Sequence, residues 1–478
     1  MERHGRRSVP APRDDETKWK RPGEARRERR EMPRRTADHF LVTLLRWATP
    51  LAACVVLALV LARVNGGGHA NPPLPEGPSL ADLAREPLGR STEALVESLQ
   101  AAVRVNPGDA AGYAMLGNAY YQRARETGDP AYYTRSQGSF QEALRLDPKN
   151  VTATIGIGTL SLARHDFRAG LMYGERAARL TPDLVRPLTV ISDAQVELGR
   201  YGEAARTLER MARLKPTLAT YSRVSYYREL HGDLRSATGA MRLAVAAGGG
   251  SPENAAYVQA LLGNLQFDRG HYAAAEHAYE EARAVDPAYL QAEAGLARLD
   301  AGRGRFDKAI NRYRRVVERL PLPEYAIALA ETEQAAGERP AARRDFGLVH
   351  AEVRLLQANG VNTDGDLALF EANHGDAARA VALGRGAWDA APSVRSADAL
   401  SWALYKDGRI RAAGRVSERA MKLGSRDPYF LYHAGTIAAG GGKDDLARRL
   451  LGRLLRESPR FSPLYAPRAR TTLNGLRP

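Results

Sequence analysis

The chain has 478 residues, a net charge of +15, 44% hydrophobic content and only 7% aromatic content. This is enough apolar material for a folded body, and the scarcity of rings points to helices packed through small side chains. The single cysteine, Cys54, excludes an intramolecular disulfide and any cysteine-based metal site.

Residues 1–39 carry 13 Lys/Arg against 8 Asp/Glu with little apolar content, which predicts a disordered basic tail. Residues 40–64, FLVTLLRWATPLAACVVLALVLARV, have the length and apolarity of a transmembrane helix. Arg46 is the one interior charge, and its long side chain can snorkel to headgroups near the cytoplasmic end. The basic cluster Arg26, Arg27, Arg29, Arg30, Arg34 and Arg35 precedes the span, and beyond Arg63 the next basic residue is Arg85. The positive-inside rule therefore puts the N-terminus in the cytoplasm and everything after the span outside, giving a single-pass cell-membrane protein. The alternative is secretion after cleavage near Ala70, where Gly68 and Ala70 offer small residues. Residues 65–90 open with a Gly/Pro-rich run and read as a linker.

From residue 91 the chain is periodic. Prolines recur at 107, 148, 182, 216, 252, 287, 321, 392, 428 and 459. Several intervals are 34 residues and the longest, 71, is close to twice that. In the clearest unit, Gly263 allows two helices to approach, Gly270 ends the first helix, and Ala275, Tyr279 and Ala282 follow at helical spacing before Pro287. The same pattern appears at Gly199–Tyr201–Ala204–Pro216, at Gly304–Phe306–Ala309–Tyr313–Pro321, and at Gly408–Ile410–Ala413–Ala420. A fixed period of this length marks a stacked helical repeat. The pattern resembles the tetratricopeptide repeat. The resemblance covers 91–462 and implies an all-α fold, an α-solenoid of ten helix-turn-helix units after a capping half-unit at 91–107. Residues 463–478 read as a C-terminal tail. Two departures stand out. About seven extra residues fall between the helices of the first unit, around Arg125 to Tyr132. The unit from 323 to 360 lacks its terminal proline, which predicts a longer second helix able to bend the stack or widen its groove.

No residue pattern calls for catalysis. His165, His231, His271 and His374 recur at one inter-helix turn slot and read as surface-turn residues. Asn362–Asp366 begins like a calcium loop, but Leu367 and Asn373 stand where that loop needs glycine and glutamate, so Thr363 or Asp364 is expected to cap a helix instead. Gly248–Gly250 and Gly440–Gly442 lack the lysine of a phosphate loop and read as junction loops. No cofactor, metal or catalytic residue is expected. The resemblance implies a non-catalytic protein–protein interaction scaffold holding a peptide or protein segment in its concave groove, of unknown identity. Residues expected to line that groove are Tyr120, Tyr121, Tyr221, Arg228, Gln259, Gln266 and Asp300. The alternative is an anionic cell-envelope polymer or surface held by basic clusters such as Arg312–Arg314–Arg315. Nucleic acid is not expected, given the extracytoplasmic placement and the missing aromatic stacking platform.

Overall fold

The structure is a computed structural model that describes residues 91–248 and 251–476. All of these lie in the second of the two units into which the chain divides, residues 75–478. The tail, span and linker expected at 1–90 therefore lie outside the described residues. Among the described residues there are 22 helices, and none is long and apolar enough to cross a membrane.

A single helix, Thr92–Val105, opens the stack, and ten antiparallel helix pairs follow. They are 110–127 with 131–146, 151–163 with 167–180, 185–197 with 201–214, 218–230 with 234–246, 252–268 with 272–285, 290–302 with 306–319, 323–336 with 339–358, 364–374 with 377–390, 394–406 with 410–420, and 428–440 with 444–457. They are called hairpins one to ten below. A last helix, Tyr465–Asn474, stands where a tail is expected, and it buries Tyr465, Ala466 and Ala469.

Local chemistry explains the breaks. Asp109, Asn150, Asp166, Asp233, Asp376 and Asp427 each cap a helix by accepting a backbone N–H of its first turn. Pro252 and Pro428 open first helices, where the missing N–H costs nothing. Their role is to start a helix, not only to end the one before. The cap expected of Thr363 is absent. Its hydroxyl accepts from Gln357, and the Asn362 side chain accepts from the Asp364 N–H instead. Gly440–Gly442 sits at the turn inside hairpin ten, not at a junction between repeats.

Second helices are amphipathic. Phe306–Arg319 buries Ala309, Ile310, Tyr313 and Val316 and turns its charges outward. First helices are covered on more sides, and Val394–Lys406 buries most of its length. One ring per hairpin can lock this arrangement. Tyr279 is fully buried between Gly263 and Gly295 of successive first helices, and a methyl group at either glycine would overlap the ring. Phe140 sits the same way between Gly117 and Gly156. Each such ring contributes about 1.5–3 kcal/mol by burial.

Two sequence expectations change. The extra residues of hairpin one do not form a loop. They lengthen its helices to 18 and 16 residues, separated by a short turn at Gly128. The long second helix of hairpin seven, Arg339–Ala358, has 20 residues, but its extension leads into a contact with a distant part of the stack instead of opening a groove. The Asn362 N–H donates to the Arg164 carbonyl at 2.9 Å, and Thr134 donates to Asn359 at 2.9 Å.

That contact belongs to a seam. Between five and six hairpins on, the stack has come round once, and the turn inside an early hairpin lies on the junction between two later ones. Gly199 abuts the carbonyl of Pro392, Gly232 that of Gly424, and Gly270 that of Glu457, each so closely that a methyl group on the glycine would overlap the oxygen. Gly128 lies against Leu320, Pro321 and Leu322. At the second hairpin His165 takes the glycine's place with φ 58°, and its Nδ1 lies 2.7 Å from the Asn362 carbonyl. Hydroxyls tie the seam further. The Val394 N–H donates to Tyr201 Oη, 193 residues away, and the Arg460 N–H donates to Tyr272 Oη, 188 residues away, both at 2.9 Å.

Candidate functional site

First helices of distant hairpins meet across the inside of the stack, as Arg125–Glu253 and Tyr226–Arg395 show, and so supply its inward face. In several hairpins a small buried residue is followed by one that reaches another hairpin: Asp193 after Ser192 meets Arg223, Tyr226 after Ser225 meets Glu197 and Arg395, and Trp402 after Ser401 donates to Asn373. Charged and phenolic side chains from different hairpins meet there. Arg125 of hairpin one reaches Glu253 of hairpin five at 2.8 Å, and Gln122 donates to the same carboxylate at 2.5 Å. Arg223 forks onto Asp193 with bonds of 2.8 and 2.7 Å. Tyr226 donates to Glu197 at 3.1 Å and accepts from Arg395, 169 residues on, at 3.3 Å. Farther along, Tyr465 of the last helix donates to Glu331 at 2.7 Å, and His374 Nε2 lies 2.9 Å from the same carboxylate.

The electrostatics follow from this crowding. Burial pushes the Tyr121 phenol up to about 12 against the opposing pull of Arg125, and it raises Tyr133 and Tyr257 as well. Yet Tyr257 as a residue is 37% exposed, so the crowding around its phenol leaves part of the residue open to solvent. Tyr121, Tyr133 and Tyr257 lie within electrostatic reach of one another, with the Tyr121 and Tyr133 rings 6.3 Å apart. Glu229 is pushed up to about 8, first by burial and then by Asp268 and Asp427, with Arg395 pulling the other way. Among the described residues no cluster of three or more His, Cys, Asp or Glu is placed to hold a metal.

The seven residues expected to line the groove are spread over different environments. Tyr121 joins the inward group. Tyr120 is buried, and its hydroxyl accepts from Gln100 at 2.6 Å. Gln266 is buried beside His271 Nδ1 at 2.9 Å, and Asp300 is buried and bonded to Arg312 at 3.0 Å within its own hairpin. Arg228 donates to the Ser236 carbonyl, Tyr221 packs half-buried against the core of hairpin four, and Gln259 is half-buried in hairpin five. The inward residues Asp193, Arg223, Glu253, Tyr257, Glu331 and Arg395 were not singled out from sequence. Stepping one residue past each small helix-contact position would have found Asp193. The histidines at 165, 231 and 271 do sit at inter-helix turns, but His374 is the last residue of its helix, and its side chain is buried against Glu331 instead of lying on the surface. Of the basic clusters, Arg312, Arg314 and Arg315 are each paired, with Glu293 and Asp300, Glu333, and Glu293 respectively.

Residues 266–332 match the tetratricopeptide repeat family model. No curated protein matches the sequence. Among solved structures, a thermophilic tetratricopeptide protein of Thermus thermophilus is similar at 19% identity over 39% of this chain and 99% of that one, with a TM-score of 0.35. YrrB, a tetratricopeptide protein described as having an unusual peptide-binding site, is similar at 18% identity over 41% of this chain and 96% of that one, with a TM-score of 0.26. The matched segment spans the turn and second helix of hairpin five, all of hairpin six and most of the first helix of hairpin seven, so this stretch is tetratricopeptide repeat, and a similar two-helix unit recurs before and after it.

Proposed function

We propose that this chain is a non-catalytic scaffold that holds a protein or peptide segment against its inward face, anchored in the cytoplasmic membrane by residues 40–64 with the repeats outside. The observation that carries this reading is the tyrosine group Tyr121, Tyr133 and Tyr257, accessible on one side and fixed on the other by paired charges such as Arg223–Asp193. Rings held in place bind at low entropic cost, and their neutral hydroxyls can meet a partner's backbone amides. Protein–protein binding is also the usual work of this repeat. The pairing of Arg312, Arg314 and Arg315 with carboxylates weighs against the alternative of an anionic polymer, because those charges are already met.

The test places a photo-crosslinking residue at Tyr257 in the full chain in its native membrane, with Arg213 of an outward second helix as the control position. A protein adduct at Tyr257 that the control does not give supports the reading. Equal or absent adducts at both positions refute it. Protease added to intact cells tests the topology, and repeats that are cut only after lysis place them on the other side of the membrane.

A further inference from the structure

A cavity of about 310 Å³ lies between two rungs of the seam, Gly232 on Gly424 and Gly270 on Glu457. Residues next to those rungs line it: Arg235 of hairpin four, Arg269 and His271 on either side of Gly270, and Arg426 and Glu457 from across the seam. Four of these five can carry positive charge, and the one carboxylate is already engaged. The Arg426 guanidinium forks onto Glu457, with its Nε at 3.0 Å. Among the described residues no carboxylate lies within ion-pair distance of Arg235 or Arg269. Arg269 is nonetheless held in place, because its Nη1 donates to Thr238 Oγ1 of hairpin four at 2.8 Å. Burial first, and then Arg426, Arg242 and Arg235, push its guanidinium below the ordinary arginine value. Burial and then Arg269 lower His271 in the same way. Like charges that face one cavity repel each other while it is empty and attract together once an anion enters.

We infer that this cavity is an anion site whose ligand is phosphate, free or as the head of a small ester. Arginines from three separate stretches of chain converge on one space, and a guanidinium matches phosphate oxygens through its paired N–H donors. Donors arriving from several directions suit a tetrahedral ion better than a planar carboxylate. The volume reaches the lower end of the range for small-molecule sites, roughly 300–1,000 Å³, so there is room for the organic part of an ester. Arg312, Arg314 and Arg315 have their charges met by carboxylates, whereas Arg235 and Arg269 have charge to spare. The site is built from turn and junction residues and does not depend on the reading of the inward face. It also has a consequence for the fold. Arg235 and Arg269 belong to the first winding and Arg426 to the second, so a bound phosphate bridges the seam and stabilises its closure by mass action.

The experiment is titration calorimetry of the full chain in a maltoside detergent, with inorganic phosphate and glycerol 3-phosphate as probes, beside melting in phosphate and in chloride at equal ionic strength. The parent is expected to bind a single equivalent of probe and to melt higher in phosphate than in chloride. Arg235→Gln removes a side chain that makes no hydrogen bond in the fold, and Arg269→Gln removes the more enclosed charge. Each is expected to weaken binding roughly tenfold or more, the worth of a hydrogen bond to a charged group, and to lose the melting gain in phosphate. In chloride Arg235→Gln is expected to melt no lower than the parent, since it relieves repulsion, so it carries the test even where loss of the Thr238 bond unsettles Arg269→Gln. Arg213→Gln, on an outward second helix, is expected to change neither reading. Tighter binding of the ester assigns the site to phosphate esters, and tighter binding of inorganic phosphate assigns it to the free ion. A parent that binds neither probe overturns the inference. So does an equal melting shift in the two salts, and so does binding that both arginine variants retain.

Discussion

Gly199 and Gly408 occupy the same place in hairpins three and nine, each ending a first helix with φ above 70°, yet one is packed under a carbonyl and the other faces open space. The difference lies in where each falls along the winding, not in the hairpin itself. Within one hairpin both glycines satisfy the same backbone requirement. Only Gly199 also permits the approach of a second stretch of chain. An identical local motif therefore carries two roles in the first turn of the stack and one role in the second.

The sharpest way to break this comparison is to add the same methyl group at both places. Gly408→Ala carries the cost of a left-handed backbone, about 1–2 kcal/mol. Gly199→Ala carries that cost and in addition the overlap with the Pro392 carbonyl, a further 1–3 kcal/mol, roughly, as in overpacked cores. Chemical denaturation followed by circular dichroism should show the larger loss at Gly199. It should also show a broader transition, because arrays with nearest-neighbour contacts only unfold piecewise, whereas the seam joins distant hairpins into one cooperative unit. Equal losses at the two sites would mean that the seam contributes nothing to stability.

Removing one hydroxyl is gentler. Tyr201→Phe leaves the buried Val394 N–H without its acceptor and is expected to cost about 1–3 kcal/mol, the usual penalty for an unpaired buried donor. Tyr272→Phe removes the same bond from the exposed Arg460 N–H, where water can replace it, and is expected to cost less than about 1 kcal/mol. The two melting curves, compared side by side, measure how dry the seam is at each rung.

The repeat was legible in the sequence because its signals are local. Gly270, Ala275, Tyr279 and Pro287 act within one hairpin or on its neighbour, so their spacing reports helix, turn and crossing directly. The seam was not legible, because its partners are separated by 187 to 225 residues, as the pairs Gly270–Glu457 and Thr134–Asn359 illustrate. The pitch that brings them together is a sum of small rotations between successive hairpins, and no single residue encodes it. The inward face was half legible for the same reason. Helix periodicity selects first-helix residues such as Tyr121, but it does not reveal that Arg125 meets Glu253 four hairpins away. The long helix of hairpin seven illustrates the gap as well. Its length was visible in the missing proline, while its destination beside Arg164 was not.

The inward carboxyl group of Glu229 offers a titration that the exposed face lacks. Its folded value, about 8, lies above that of an unfolded glutamate, so the native state holds a proton that the unfolded chain releases. The native form therefore binds more protons between about pH 4.5 and 8. This group's contribution to stability is fully present below that window and is lost as the pH rises through it. Glu229→Gln removes the dependence and is expected to leave stability unchanged near pH 4 while raising it at pH 8. The gain is about 1 kcal/mol, well below the 1.4 kcal/mol per unit of an isolated buried group, because solvent reaches the site. Melting temperatures of parent and variant across that range give the test, and parallel curves would mean that Glu229 is ionised in the fold like any surface carboxylate.

The smallest effect is expected where the inward face joins hairpins one and five. The Arg125 and Glu253 side chains remain 37% and 27% exposed, so water screens their attraction and a double-mutant cycle should return under about 1 kcal/mol. That weakness has a consequence for binding. A segment entering beside Tyr121 and Tyr257 can displace this pair at little cost, whereas the forked Arg223–Asp193 pair next to it resists. Arg125→Ala should therefore leave the melting temperature nearly unchanged while altering crosslinking at Tyr257, and Arg223→Ala should lower both. If Arg125→Ala destabilised the fold as much as Arg223→Ala, the pair would be a structural strut that closes the inward face, and the displaceable path beside Tyr257 would not exist.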